Sequence, residues 1–157
     1  MSGTSVVLLV VGILVLQILI WIPVLLWIRR KSDRLIADLD RELAAAGERV
    51  VLGPAHASYR GATAGAGLPF AKGNAIAALT DRRIIIRRLV GAGVEIPVAD
   101  IAAVRDDKWF LRSYASGHMT LIIKLRNDAE VGLLVKDHPA WMTALRAHLG
   151  DAAASPR

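Results

Sequence analysis

The apolar run VVLLVVGILVLQILIWIPVLLWI, from Val6 to Ile28, limits this chain more than any other feature: it holds no charged side chain and a single amide, Gln17. A helix needs roughly 20 apolar residues to cross about 30 Å of hydrocarbon, so the run is long enough to span a bilayer. Residues 5–28 are therefore expected to form a transmembrane helix. A cleaved secretory leader has a basic start, a shorter core and small residues at its cleavage point. Here Met-Ser-Gly-Thr-Ser precedes the run and Arg29-Arg30-Lys31 follows it, so the anchor is expected to be retained.

Basic residues beside a span stay on the cytoplasmic side. Arg29, Arg30, Lys31 and Arg34 follow the run while no charged side chain precedes it. The expected topology in the cell membrane is thus N-terminus outside and C-terminal part cytoplasmic, with Trp27 and those four basic residues at the interface. Gln17 and Pro23 are candidate contacts to an intramembrane partner, either another membrane protein or a second copy of the chain. A mid-membrane amide gains from bonding across helices, and a helical proline frees a carbonyl that a neighbour can satisfy. An amide simply tolerated by lipid fits Gln17 equally well.

From residue 29 to 47 the pattern turns amphipathic. Leu35, Ile36, Leu39 and Leu43 recur at helical spacing, with charged residues on the other faces, and Gly47 is placed to end the helix. The stripe calls for a covering surface: the soluble domain, a sister helix or the lipid surface. Whether this juxtamembrane helix continues the span or starts afresh at Ser32 or Asp33 is open from sequence. Beyond Gly47 short β-branched runs alternate with turn residues. Strands are expected at 55–60, 74–80, 83–89, 94–96, 101–106, 119–125 and 130–135, then a helix from about Pro139 to Leu149 that starts after Asp137 and puts Trp141, Met142 and Leu145 on one face. Residues 150–157 read as a flexible tail.

Two segments in this region carry a resemblance. Leu79-Thr80-Asp81-Arg82-Arg83 closes one strand and opens an aliphatic one, and Ile96-Pro97-Val98-Ala99-Asp100-Ile101 leads into the next. Together they resemble a GRAM-type or bacterial pleckstrin-homology-like (PH-like) domain over 48–149. The resemblance implies an α+β chain: transmembrane and juxtamembrane helices, then a bent β-sandwich or partial barrel of seven strands capped by a C-terminal helix. It also implies docking onto proteins or lipids, and no chemistry.

No catalytic residue, metal site or cofactor is expected. There is no cysteine, and the four histidines, His56, His118, His138 and His148, fit no ligand spacing. The loop Gly61–Gly67 lacks phosphate-loop spacing. The net charge of +6 fits attraction to an anionic leaflet or a merely solvated surface, and few aromatic residues accompany it, so nucleic acid is not an expected partner. Two binding readings remain. One is an adaptor or accessory subunit for a membrane protein partner. The other is recognition of anionic phospholipid through Arg82, Arg83, Arg87, Arg88, Arg105, Lys108 and Arg112, aided by Leu68 and Phe70 on the glycine-rich loop. Strand alternation places Arg83 and Arg87 on one face and Arg88 on the other.

Overall fold

The computed structural model describes residues 3–154. One unbroken helix, α1, runs from Gly3 to Ala46 and contains Pro23. The span and the juxtamembrane stretch are therefore continuous: Arg29 to Lys31 favour helix, and neither Ser32 nor Asp33 restarts it. Gly47, at φ +62°, ends the helix as a left-handed cap. From Val6 to Trp27 the helix is bare, and α1 is apolar and long enough to cross a membrane.

The strands that follow are β1 (Val50–Ala62), β2 (Gly73–Thr80), β3 (Arg83–Arg88), β4 (Val94–Pro97), β5 (Ile101–Asp107), β6 (Trp109–Phe110), β7 (Ser113–Tyr114), β8 (Thr120–Leu125) and β9 (Glu130–Val135); α2 (His138–Ala154) closes the chain. Seven form one antiparallel sheet in the order β4-β3-β2-β1-β9-β8-β5, and β6 pairs only with β7. The sheet's two edges, β4 and β5, are consecutive in sequence and joined by the single 3-10 turn Val98–Asp100, so the sheet curls into a half-barrel. Its concave face holds the main core, and α2 packs into it with Trp141, Met142 and Leu145. Asp137 caps α2 by accepting the Ala140 N–H at 3.3 Å.

All seven sheet strands fall where the residue pattern places them, with three differences. β1 begins five residues early: the sheet absorbs Gly53-Pro54 through register shifts between Val50 and Ala55. The hairpin β6–β7 has no counterpart in the expected elements. Helix α2 continues through Ala154, so the stretch expected as tail is helical there, and residues 155–157 lie outside the described ones.

The motifs of the resemblance acquire physical roles here. The Thr80 hydroxyl is fully buried; it accepts N–H bonds from Arg82 (3.2 Å) and Arg83 (3.0 Å) and donates to the Arg83 carbonyl at 3.1 Å, closing the β2–β3 turn. Pro97 ends β4, and Val98 N–H reaches the Arg82 carbonyl at 2.8 Å, fixing the corner from which β5 departs.

Candidate functional site

Candidate surfaces lie on the convex side of the sheet and at one open end. On the convex side, β2 and β3 lack strand alternation: Ala75 to Thr80 and Ile84 to Ile86 are all buried. Such runs require cover on both faces. The core covers Ala77, Leu79, Ile84 and Ile86, while Ile76, Ala78 and Ile85 face outward beneath Leu39 and Leu43 of α1, with Leu35 and Ile36 alongside. Of the three surfaces its sequence allows, the juxtamembrane stripe thus covers its own domain.

Charge fastens the same interface. Arg83 binds Glu48 at 2.8 Å and Glu95 at 2.6 Å; Arg87 binds Glu42 at 2.7 Å and Glu95 at 2.8 Å. The Arg83 bond, helped by the Thr80 hydroxyl, holds the Glu48 carboxyl below the usual glutamate range, and Glu48 reciprocally raises Arg83. Burial works against ionisation of Glu95 and Arg87, yet their mutual bond and their other partners outweigh it, lowering Glu95 and raising Arg87. Two of the arginines proposed from sequence as lipid contacts are therefore committed to joining α1 and β4 to β3. The three glutamates were not singled out from sequence; Glu42, on α1 beside the Leu39–Leu43 stripe, was the available signal.

Arg88 faces the other way, as alternation requires. Its guanidinium lies over the Tyr59 ring at 5.5 Å, and its Nε is buried without a partner. Burial raises the Tyr59 phenol, against the pull of Arg88, and the hydroxyl donates to the Pro69 carbonyl at 2.7 Å. Leu68 packs onto the core, whereas Phe70 stands 69% exposed. Phe70 precedes β2 and Arg88 ends β3, so both belong to the end of the β2–β3 pair opposite the Thr80 turn. The Asp81 N–H bond to the Arg49 carbonyl, at 3.0 Å, pins the C-terminal end of α1 to that turn. The open end accordingly points back along α1 toward the apolar run. Cover on α1 begins at Ser32, 3% exposed and four residues past Ile28. That distance is about 6 Å of helix.

The hairpin β6–β7 forms the other convex cover. Phe110, 5% exposed, rests on Gly132, where any Cβ would overlap its ring; the residue across the ladder from Gly132 is the fully buried Ile122. Arg60 donates to the Ser113 hydroxyl and to the Tyr114 carbonyl at 3.2 Å, and the Ala115 N–H bond to the Lys108 carbonyl at 2.9 Å closes the neck. The two-residue turn holds Leu111 at φ +46° and Arg112 at +60°. Asn and Gly favour such turns; Leu and Arg there cost on the order of 1 kcal/mol each. The Trp109 and Tyr114 rings lie 5.1 Å apart at 42°, 59% and 47% exposed.

The remaining sequence candidates are scattered. Arg105 bonds Glu130 at 3.0 Å and approaches Asp107 at 3.5 Å. Arg82, Lys108 and Arg112 are exposed and form no ion pair among the described residues. Arg82 sits at the Thr80 turn, away from the other two, which belong to the hairpin and its neck. On α1 the Lys31 ammonium lies 5.0 Å over the Trp27 ring, Arg29, Arg30 and Arg34 are exposed, and Gln17 and Pro23 belong to the bare stretch.

No family model matches this sequence, and no curated protein does. Solved structures do. The C-terminal domain of an unknown protein from Leishmania infantum is similar over 72% of this chain and 96% of that one, at 14% identity and a TM-score of 0.50. The Vps36 N-terminal PH domain is similar over 70% of this chain and 85% of that one, at 18% identity and a TM-score of 0.47. At these identities the likeness concerns the fold alone.

Proposed function

We propose that this chain is a single-pass membrane adaptor without catalytic activity, whose PH-like domain binds a membrane protein partner at the cytoplasmic face. The carrying observation is the join between α1 and the sheet. The helix that holds the apolar run ends in a buried stripe and a five-membered charge cluster, so the domain has one fixed pose at the end of its anchor. Fixed presentation is what an accessory subunit requires. The cytoplasmic sidedness is supported by Arg29, Arg30, Lys31 and Arg34 following the run. The Leu79–Arg83 and Ile96–Ile101 segments favour the GRAM-type subclass.

Solubilisation of native membranes in mild detergent, followed by sizing, tests the reading. The expected particle contains a second membrane protein; a strictly monomeric chain with nothing co-purifying would sink it. A C-terminal tag should be labelled only after cells are opened.

A second reading, contact with anionic phospholipid, is favoured by one place: the open end, where Arg88 has no carboxylate partner among the described residues and Phe70 is exposed. Flotation of residues 32–157 with phosphatidylglycerol and phosphatidylcholine vesicles addresses it. Preferential binding to the first, weakening with salt, is the expected sign. Equal binding to both removes it.

A further inference from the structure

The ribbon β6–β7 is bolted to the convex face by Phe110, Arg60 and the closed neck, yet it leaves two aromatic rings in solvent and holds two non-glycine residues at positive φ. The exposed rings do not serve the sheet. Phe110 and Arg60 cover Gly132, and a turn of Asn-Gly would hold that cover with less backbone strain. Exposed Trp and Tyr on a preordered element are the residue types that carry binding energy at protein interfaces. The flanking charge is one-sided: Lys108 and Arg112 make no ion pair among the described residues. Of the adjacent acids, Asp107 is already occupied by the Trp109 N–H at 3.0 Å and by Arg105, and Asp106 lies on the other face of β5, 4.0 Å from His138 Nε2.

We infer that this ribbon is the docking site for an acidic, apolar-bearing peptide segment of a partner protein. Carboxylates of that segment pair with Lys108 and Arg112, and one of its apolar side chains lies against Trp109 and Tyr114. Charge complementarity selects this occupant. Insertion into lipid fits poorly, because the exposed residue at the ribbon's tip is the cation Arg112, while Leu111 turns toward Gly61, 3.3 Å from where a Cβ there would stand. The inference rests on the adaptor reading and assigns that adaptor its contact surface.

The test uses the full chain in phosphatidylcholine nanodiscs, titrated into a fluorescent peptide of alternating Glu and Leu, with a Lys-and-Leu peptide and phosphatidylglycerol vesicles as the other arms. Saturable binding of the Glu peptide is expected, weakened about tenfold by Trp109→Ala or Tyr114→Ala without a change in Tm. The double reversal Lys108→Glu, Arg112→Glu should transfer the preference to the Lys peptide. Absent binding, equal binding of both peptides, indifference to Trp109→Ala, or a preference for the vesicles that the reversal abolishes would each overturn the inference. A native partner that co-purifies equally well with the Trp109→Ala chain would leave the adaptor reading standing and remove this surface alone.

Discussion

The half-barrel has two covers on its convex side, and they are made in opposite ways. Helix α1 covers β2 and β3 with a four-residue apolar stripe and a charge cluster whose members are mutually satisfied. The ribbon β6–β7 covers Gly132 with one aromatic side chain and carries strained backbone, and its own rings face water. The first arrangement joins; the second presents. Where a surface element's local preferences all agree with its packing it contributes stability, and where they conflict the conflict marks a place kept for something else.

The largest expected effect separates the covers by removing one. A chain beginning at Glu48 exposes Ile76, Ala78 and Ile85, and should aggregate or lose its cooperative unfolding transition, whereas one beginning at Ser32 should unfold as a single domain. In the intact chain Leu39→Ala should cost about 3 kcal/mol, read by denaturant unfolding, a large part of a typical domain's stability. Against the ribbon, Gly132→Ala drives a methyl into the Phe110 ring and should cost about 2 kcal/mol. Hydrogen exchange should then show the ribbon amides open while those of β2 and β3 stay protected.

Acid should act on the first cover alone. Glu48 and Glu95 sit below their ordinary value of 4.5, so their contribution is complete above that pH and is lost as pH falls through the lowered values. Arg83 and Arg87 are raised, so they lose theirs only in strong alkali. Glu48→Gln should cost about 2 kcal/mol at neutral pH and flatten the acid limb of a stability profile. Smallest of all, Leu111→Asn relieves positive φ and should raise stability by about 0.5 kcal/mol, the opposite sign to every change at the helix.

The sequence made the two covers unequally legible. Leu35, Ile36, Leu39 and Leu43 announce a face in need of a surface, and Ile84-Ile85-Ile86 announces a strand covered twice; the partners could be matched from those two facts. The run Leu121-Ile122-Ile123 makes the same announcement for the second cover, but the residue that meets Gly132 beside it is Phe110, within a ribbon of two-residue strands. Such strands carry no period, and a Leu-Arg turn carries none of the usual turn residues, so local signals were silent. The arginines were legible as a set and illegible as individuals. Strand alternation puts Arg83 and Arg87 on one side, but only the fold brings Glu42, Glu48 and Glu95 to them across long separations in sequence.

Because α1 has neither a break nor a swivel between the apolar run and the stripe, the anchor behaves as a crankshaft. Adding one residue between Ile28 and Ser32 would turn everything beyond it by about 100° and lift it by about 1.5 Å. With the apolar run placed in a bilayer, as proposed above, the compass bearing of the Trp109–Tyr114 ribbon around the membrane normal follows the rotation of the helix there.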